Sequence, residues 1–103
     1  MAEIRFSPEA LSDLKEIKSY ITEDLQSAQA ADNTIAGILK RIRKLSDFPQ
    51  SGAPLSSVVG IETNYRFVVS GNYTAFYSYE NDAVFILRVL YGRRDHMRIL
   101  FGE

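Results

Sequence analysis

The chain contains no cysteine, which removes disulfides, a thiolate nucleophile and cysteine metal sites in one step. It has a single histidine, His96, so a zinc site would have to rely mostly on carboxylates. Long apolar runs are missing too: the longest near the end, Ala83 to Leu87, stops at Arg88, far short of a bilayer span. Residues Met1 to Ser7 lack the basic-then-apolar order of a secretory signal. Nor is there an excess of one charge, since a formal net charge of −1 excludes a wholesale basic nucleic-acid binder. These absences lead us to expect a cytoplasmic protein with no membrane segment, no metal and no cofactor.

What is present is ordinary for a globular protein: 103 residues, 46% apolar and 24% charged. That length predicts one domain, residues 1–103, able to hold a core without staples. Glu3 to Phe6 reads as a short strand. Ser7-Pro8-Glu9 is a helix start, because serine caps, proline fits the first helical position and glutamate complements the dipole. A first helix is predicted to about Leu25, with Leu11, Leu14, Ile17, Ile21 and Leu25 on one stripe. A second runs from about Ser27 to Asp47, with Ala31, Ile35, Ile38, Ile42 and Leu45 as its stripe. Phe48-Pro49 ends it, and Gln50 to Gly60 reads as a loop.

Three β-type runs follow: Asn64–Ser70, Tyr73–Tyr79 and Ala83–Tyr91. Gly71-Asn72 and Asn81-Asp82 separate them, and both suit tight hairpin turns. The apolar run Ala83–Tyr91 should lie inside the sheet, since an exposed edge of that composition invites aggregation. Met97, Ile99, Leu100 and Phe101 are predicted to form a last helical turn. The fold class is therefore α+β: a β-α-α-β-β-β order with a short C-terminal helical tail, an antiparallel meander packed on a helix hairpin.

The basic residues segregate. All four lysines lie in the helical half, and from Pro49 onward every basic residue is arginine. Lys40, Arg41, Arg43 and Lys44 form a run at the end of the second helix. The dipole favours cations there, so a solvated face competes with a phosphate or acidic-partner contact. Arg88 interrupts an apolar strand on a face shared with Val84, Ile86 and Leu90 and needs a partner: a structural ion pair with a carboxylate such as Glu62 or Glu80 is one reading, a buried anchor for the functional edge the other. Arg93, Arg94, Asp95 and His96 follow Gly92, which lets the chain turn off the strand. Guanidinium groups there suit an anionic partner, and His96 has an ordinary pKa near neutrality, allowing acid–base work. A surface histidine and an Asp95 that merely holds an arginine remain the plain alternatives. Most tyrosines of the meander are expected in the core, with one or two as stacking platforms.

Over nearly its whole length the chain resembles toxins of the RelE/ParE superfamily of type II toxin–antitoxin pairs. The resemblance rests on Ser7-Pro8-Glu9-Ala10, Asp13-Leu14, Tyr20-Ile21, Ala30-Ala31, Phe48-Pro49, Gly52, Tyr65-Arg66, Gly71-Asn72-Tyr73, Phe76-Tyr77 and Ile86 through Asp95. It implies a cognate antitoxin that folds on binding, received by the helix hairpin or a sheet edge. It also implies one of two activities: RelE-like cleavage of mRNA on the ribosome, or ParE-like poisoning of DNA gyrase. RelE-like toxins use lysines and an arginine on the central strands, an arginine after the last strand and a tyrosine in the terminal helix. Here Arg94 matches the post-strand arginine, but the central positions fall near Tyr65, Phe67 and Thr74, and the terminal one at Leu100. The chain therefore looks closer to ParE, a gyrase inhibitor rather than an enzyme, with Arg66, Arg93, Arg94, Asp95 and His96 as target-binding residues. The alternative is a nuclease acting on ribosome and mRNA through Arg94, Arg66 and His96. A third reading is a degenerate toxin that survives as an antitoxin-binding module.

Overall fold

Ser7 does two things at once. In the structure, a computed structural model that describes residues 1–56 and 63–92, its Oγ accepts the Ala10 N–H at 2.9 Å and donates to the Leu87 carbonyl at 2.7 Å. The first bond caps a helix and the second ties that helix to a strand far along the chain. Helix α1 (Pro8–Glu23) starts there, with Pro8 in its first turn. Gln26 takes a positive φ of 52°, after which Ser27 caps α2 (Ala28–Arg43) by accepting the Ala30 N–H at 3.1 Å. A 3-10 turn, Lys44–Ser46, follows instead of further α-helix, yet Leu45 is still fully buried.

The buried stripe of α2 is the predicted one: Ala31, Ile38 and Ile42 are buried and Ile35 packs against them. That of α1 differs. Ala10, Asp13, Ile17 and Ile21 are buried and Leu14 is partly so, whereas Leu11 and Leu25 are exposed. A carboxylate holds a core position because it has three donors waiting there, described below.

The sheet has five strands: β1 (Glu3–Phe6), β2 (Ala53–Pro54), β3 (Arg66–Ser70), β4 (Tyr73–Glu80) and β5 (Ala83–Tyr91). Their order is β1-β5-β4-β3-β2. The last strand therefore lies inside the sheet, between β1 and β4, as far as Ile86, where its pairing with β1 ends. The meander is antiparallel, but β1 joins β5 in parallel, so the whole sheet is mixed. The loop expected between Gln50 and Gly60 contains β2, a two-residue strand paired with Phe67 and Arg66. Asn81 and Asp82 both take positive φ (52° and 61°), the pattern of a type I′ turn, and Gly71 alone does so (57°) in the first hairpin. Val68, Ala75, Tyr77, Val84, Ile86 and Val89 meet the helices in the main core. Leu55, Phe67 and Phe76 form a smaller cluster with Tyr65 and Leu90.

A β-bulge sets the phase of the end of β5. Tyr77 pairs with Ile86, but Phe76 pairs with Arg88, so Leu87 is the extra residue. Straight alternation would put Arg88 and Leu90 with Val84 and Ile86 on one face. The bulge instead buries Val89 in the main core and turns Leu90 to the second cluster.

The connection out of the helices is clamped. Tyr77 Oη donates to the Pro49 carbonyl at 2.8 Å and accepts the Gly52 N–H at 3.0 Å. Arg66 Nη1 donates to the Gly52 and Gln50 carbonyls at 2.8 and 3.2 Å. A Cβ on Gly52 would come within 2.6 Å of Tyr77 Oη and 2.8 Å of the Phe67 carbonyl oxygen. Gly52→Ala is therefore expected to cost about 1–3 kcal/mol by overpacking a buried contact. Urea unfolding measures this, and a midpoint equal to the parent's would refute it.

Candidate functional site

Strand β1 runs out before β5 does. Their pairing ends at Phe6 and Ile86, with the Ser7 N–H on the Ile86 carbonyl at 2.9 Å. Among the described residues no strand lies beside the outer side of β5 from Leu87 to Tyr91, and α1 supplies partners instead. Ser7 Oγ takes the Leu87 carbonyl. Asp13 then accepts the Val89 N–H at 2.9 Å and the Arg88 guanidinium twice, from Nε at 2.7 Å and Nη2 at 2.8 Å. The Asp13 side chain is only 8% exposed. Its carboxylate thus ends a ladder and neutralises a cation in one place. The bonds to Asp13, and next the charges of Asp13, Glu9 and Glu16, hold the Arg88 guanidinium above its ordinary pKa against desolvation. The partner expected for Arg88, Glu62 or Glu80, is corrected to Asp13. Glu80 pairs with Ala83 at the far end of the hairpin, and Glu62 lies outside the described residues.

Beyond Asp13 the edge opens into a groove. Because strand residues alternate sides, the Val89 carbonyl and Tyr91 N–H face outward with the Val89 N–H. The space between this edge, α1 and the start of α2 measures 740 Å³. Its rim is apolar and open to solvent: Tyr20 is 54%, Leu25 58% and Tyr91 71% exposed. Ile17 and Ile21 form part of the wall, and Tyr73 stands edge-on to Tyr91 with ring centroids 5.6 Å apart. Burial, then the neighbouring Tyr91 and Tyr20, pushes the Tyr73 phenol above its ordinary pKa. The groove offers apolar contact and two outward backbone groups, which fits a chain segment better than a small polar substrate.

Of the residues expected to bind the target only Arg66 is described, and it does not line this groove. Arg93, Arg94, Asp95 and His96 lie outside the described residues, as do Met97, Ile99, Leu100 and Phe101 of the expected helical tail. Gly92, from which they depart, has a φ of 68°, the turning conformation expected of it. Arg66 sits opposite Tyr77, whereas Gly92 lies beside Asn72. The five-residue step from Asn72 to Tyr77 separates these points by roughly 17 Å along the sheet. Of the central-strand positions, Phe67 and Thr74 are buried, and Thr74 Oγ1 donates to the Gly92 carbonyl at 3.0 Å. Tyr65 packs on the second cluster. Among the described residues no three acidic or histidine side chains gather as a metal site. No helix among them is long and apolar enough to cross a membrane.

Asp13 was the residue most easily missed. Its signal was a lone carboxylate at the i+3 position between Ala10 and Ile17 on an otherwise apolar stripe.

Two helices thus pack on a five-stranded mixed sheet in which β1 runs parallel to β5. Among solved structures, the chromosomal ParDE toxin–antitoxin system of P. aeruginosa aligns with a TM-score of 0.75 at 19% identity, covering 90% of this chain and 98% of that one. The isolated RelE toxin of E. coli aligns at 0.57 and 13% identity, covering 97% and 94%. At these identities the likeness is one of fold. No curated protein sequence matches the chain. The family model of the ParE toxin of the type II toxin–antitoxin system parDE matches residues 4–96. The chain belongs to that ParE toxin family.

Proposed function

We propose that this ParE-family toxin is held by an antitoxin segment in the groove between α1 and the free end of β5, and that its target is DNA gyrase. The observation that carries the first half is the coincidence of an apolar, solvent-open rim with strand groups that β1 leaves uncovered. A segment that folds on binding would lay apolar side chains against Tyr20, Leu25 and Tyr91 and add backbone bonds at Val89 and Tyr91. Changing Tyr20 and Leu25 together to glutamate should weaken antitoxin binding by at least about 100-fold, because two apolar contacts are replaced by charges that the bound segment would desolvate. Both side chains are more than half exposed, so thermal stability should stay close to the parent's. Calorimetric titration with the cognate antitoxin checks this, and unchanged affinity would move the binding site elsewhere.

The gyrase half is supported by what the central strands offer. Cleaving RNA by internal attack needs a base, an acid and cations around the developing dianion. Phe67 and Thr74 are buried and carry no charge, and Arg66 is engaged with loop carbonyls. A gyrase target places the working protein in the cytoplasm. Gyrase supercoiling and mRNA cleavage on programmed ribosomes, assayed side by side, test the assignment. Inhibition of supercoiling with intact mRNA is the expected pair of results, and the reverse pair would make the protein a ribosome-dependent nuclease.

A further inference from the structure

The C-terminal half of α2 carries a charge that the groove and the ion pairs leave unused. Residues 33–46 hold four cations, Lys40, Arg41, Arg43 and Lys44, and no acid. The acids of the helix hairpin all fall earlier, from Glu9 to Asp32, and the next one in sequence is Asp47. The four occupy positions i, i+1, i+3 and i+4, and Lys44 still has helical backbone angles. At 100° per residue they cover an arc of roughly 160°, opposite the stripe of Ile38, Ile42 and Leu45 that enters the core. Lys40, Arg43 and Lys44 are exposed and Arg41 is half-buried. The ion pairs among the described residues are Arg5–Glu3, Lys18–Asp32 and Arg88–Asp13, so none of these four cations is neutralised there.

The helix dipole explains one or two cations in a last turn. It does not explain an acid-free, convex face of four. Such a face suits a phosphate backbone better than a protein. Protein interfaces have an apolar centre and are depleted in lysine, whereas the outward side of α2 here is cationic. Phosphate contacts, in contrast, are made by lysine and arginine on open surfaces, and need no groove or sequence reading. We infer that the C-terminal half of α2 is a contact surface for the phosphate backbone of duplex DNA. On the gyrase reading, this would be the duplex that the topoisomerase holds; the contact itself does not depend on that reading.

The test uses the full chain and a fluorescent duplex of about 20 base pairs and arbitrary sequence, titrated by anisotropy at several salt concentrations. Four phosphate contacts predict a slope of log K against log salt of about −3.6. The triple variant Lys40→Gln, Arg43→Gln, Lys44→Gln should retain a slope of about −0.9 and bind at least about tenfold more weakly at low salt. These side chains are exposed, so circular dichroism and the melting temperature should match the parent's. Absence of duplex binding by the parent at low salt, or equal binding by the variant, overturns the proposal. A variant that keeps duplex binding but loses antitoxin affinity overturns it in favour of an acidic protein segment. In parallel, the variant should need more protein to inhibit gyrase than the parent does. A parent that binds duplex as stated but leaves supercoiling untouched removes the gyrase reading and leaves the phosphate contact standing.

Discussion

Replacing Asp13 by alanine is expected to destabilise the protein by about 3–5 kcal/mol, the cost of stranding one member of a buried pair. Three donors lose their acceptor together: Arg88 Nε, Arg88 Nη2 and the Val89 N–H. Arg88 is 29% exposed at its side chain, so water can reach part of the guanidinium, but not the Val89 amide, which is bonded in a buried setting. Arg88→Ala leaves the Asp13 carboxylate with one donor and should cost a similar amount, on the order of 3 kcal/mol. The double change Asp13→Leu with Arg88→Met tells the two functions of the carboxylate apart. If Asp13 served only to neutralise the cation, an apolar pair of similar volume would restore stability. Because it also ends the β5 ladder, the Val89 N–H stays unpaired and about 1–3 kcal/mol should remain missing. Denaturant unfolding of the four proteins gives the answer by direct comparison of their stabilities. An Asp13→Ala protein within about 0.5 kcal/mol of the parent, the range of ordinary surface substitutions, would show the pair to be incidental.

The same residues show which parts of the fold were legible beforehand. Helix starts were, because Ser7 and Ser27 declare themselves by local chemistry that needs no knowledge of the rest of the chain. The extent of β5 and the turns around it were legible for the same reason: apolar composition and Asn-Asp or Gly-Asn pairs act over a few residues. The Asp13–Arg88 pair was half legible. The sequence showed that Arg88 needed a carboxylate, yet its partner lies 75 residues away, and only the parallel docking of β1 on β5 brings α1 over that strand. The groove was not legible at all. It exists because β1 is four residues long while β5 is nine, and an unequal pairing is a relation between elements, not a property of either. Leu11 and Leu25 were assigned to the core because periodicity counts apolar residues without knowing where the neighbouring surface ends. Leu25 projects past it into the groove rim.

Substitution of His96 by alanine should leave the protein toxic, while Arg93→Ala with Arg94→Ala should disarm it. All three positions lie outside the described residues, so the expectation rests on chemistry. A nuclease acting by internal attack needs a proton acceptor, and His96 is the chain's one side chain with an ordinary pKa near neutrality. Losing a general acid or base lowers rates about 100- to 10,000-fold. On the nuclease reading, His96→Ala would therefore silence growth inhibition almost as fully as Arg94→Ala. A toxin that acts by binding gyrase transfers no proton, so only charge and shape at the arginines matter. Expression of each variant in a host lacking the antitoxin, with soluble yield measured alongside, separates the cases. The arginine variant should permit growth and the histidine variant should still arrest it. A harmless His96→Ala protein that is soluble and melts with the parent would instead direct the search to the ribosome.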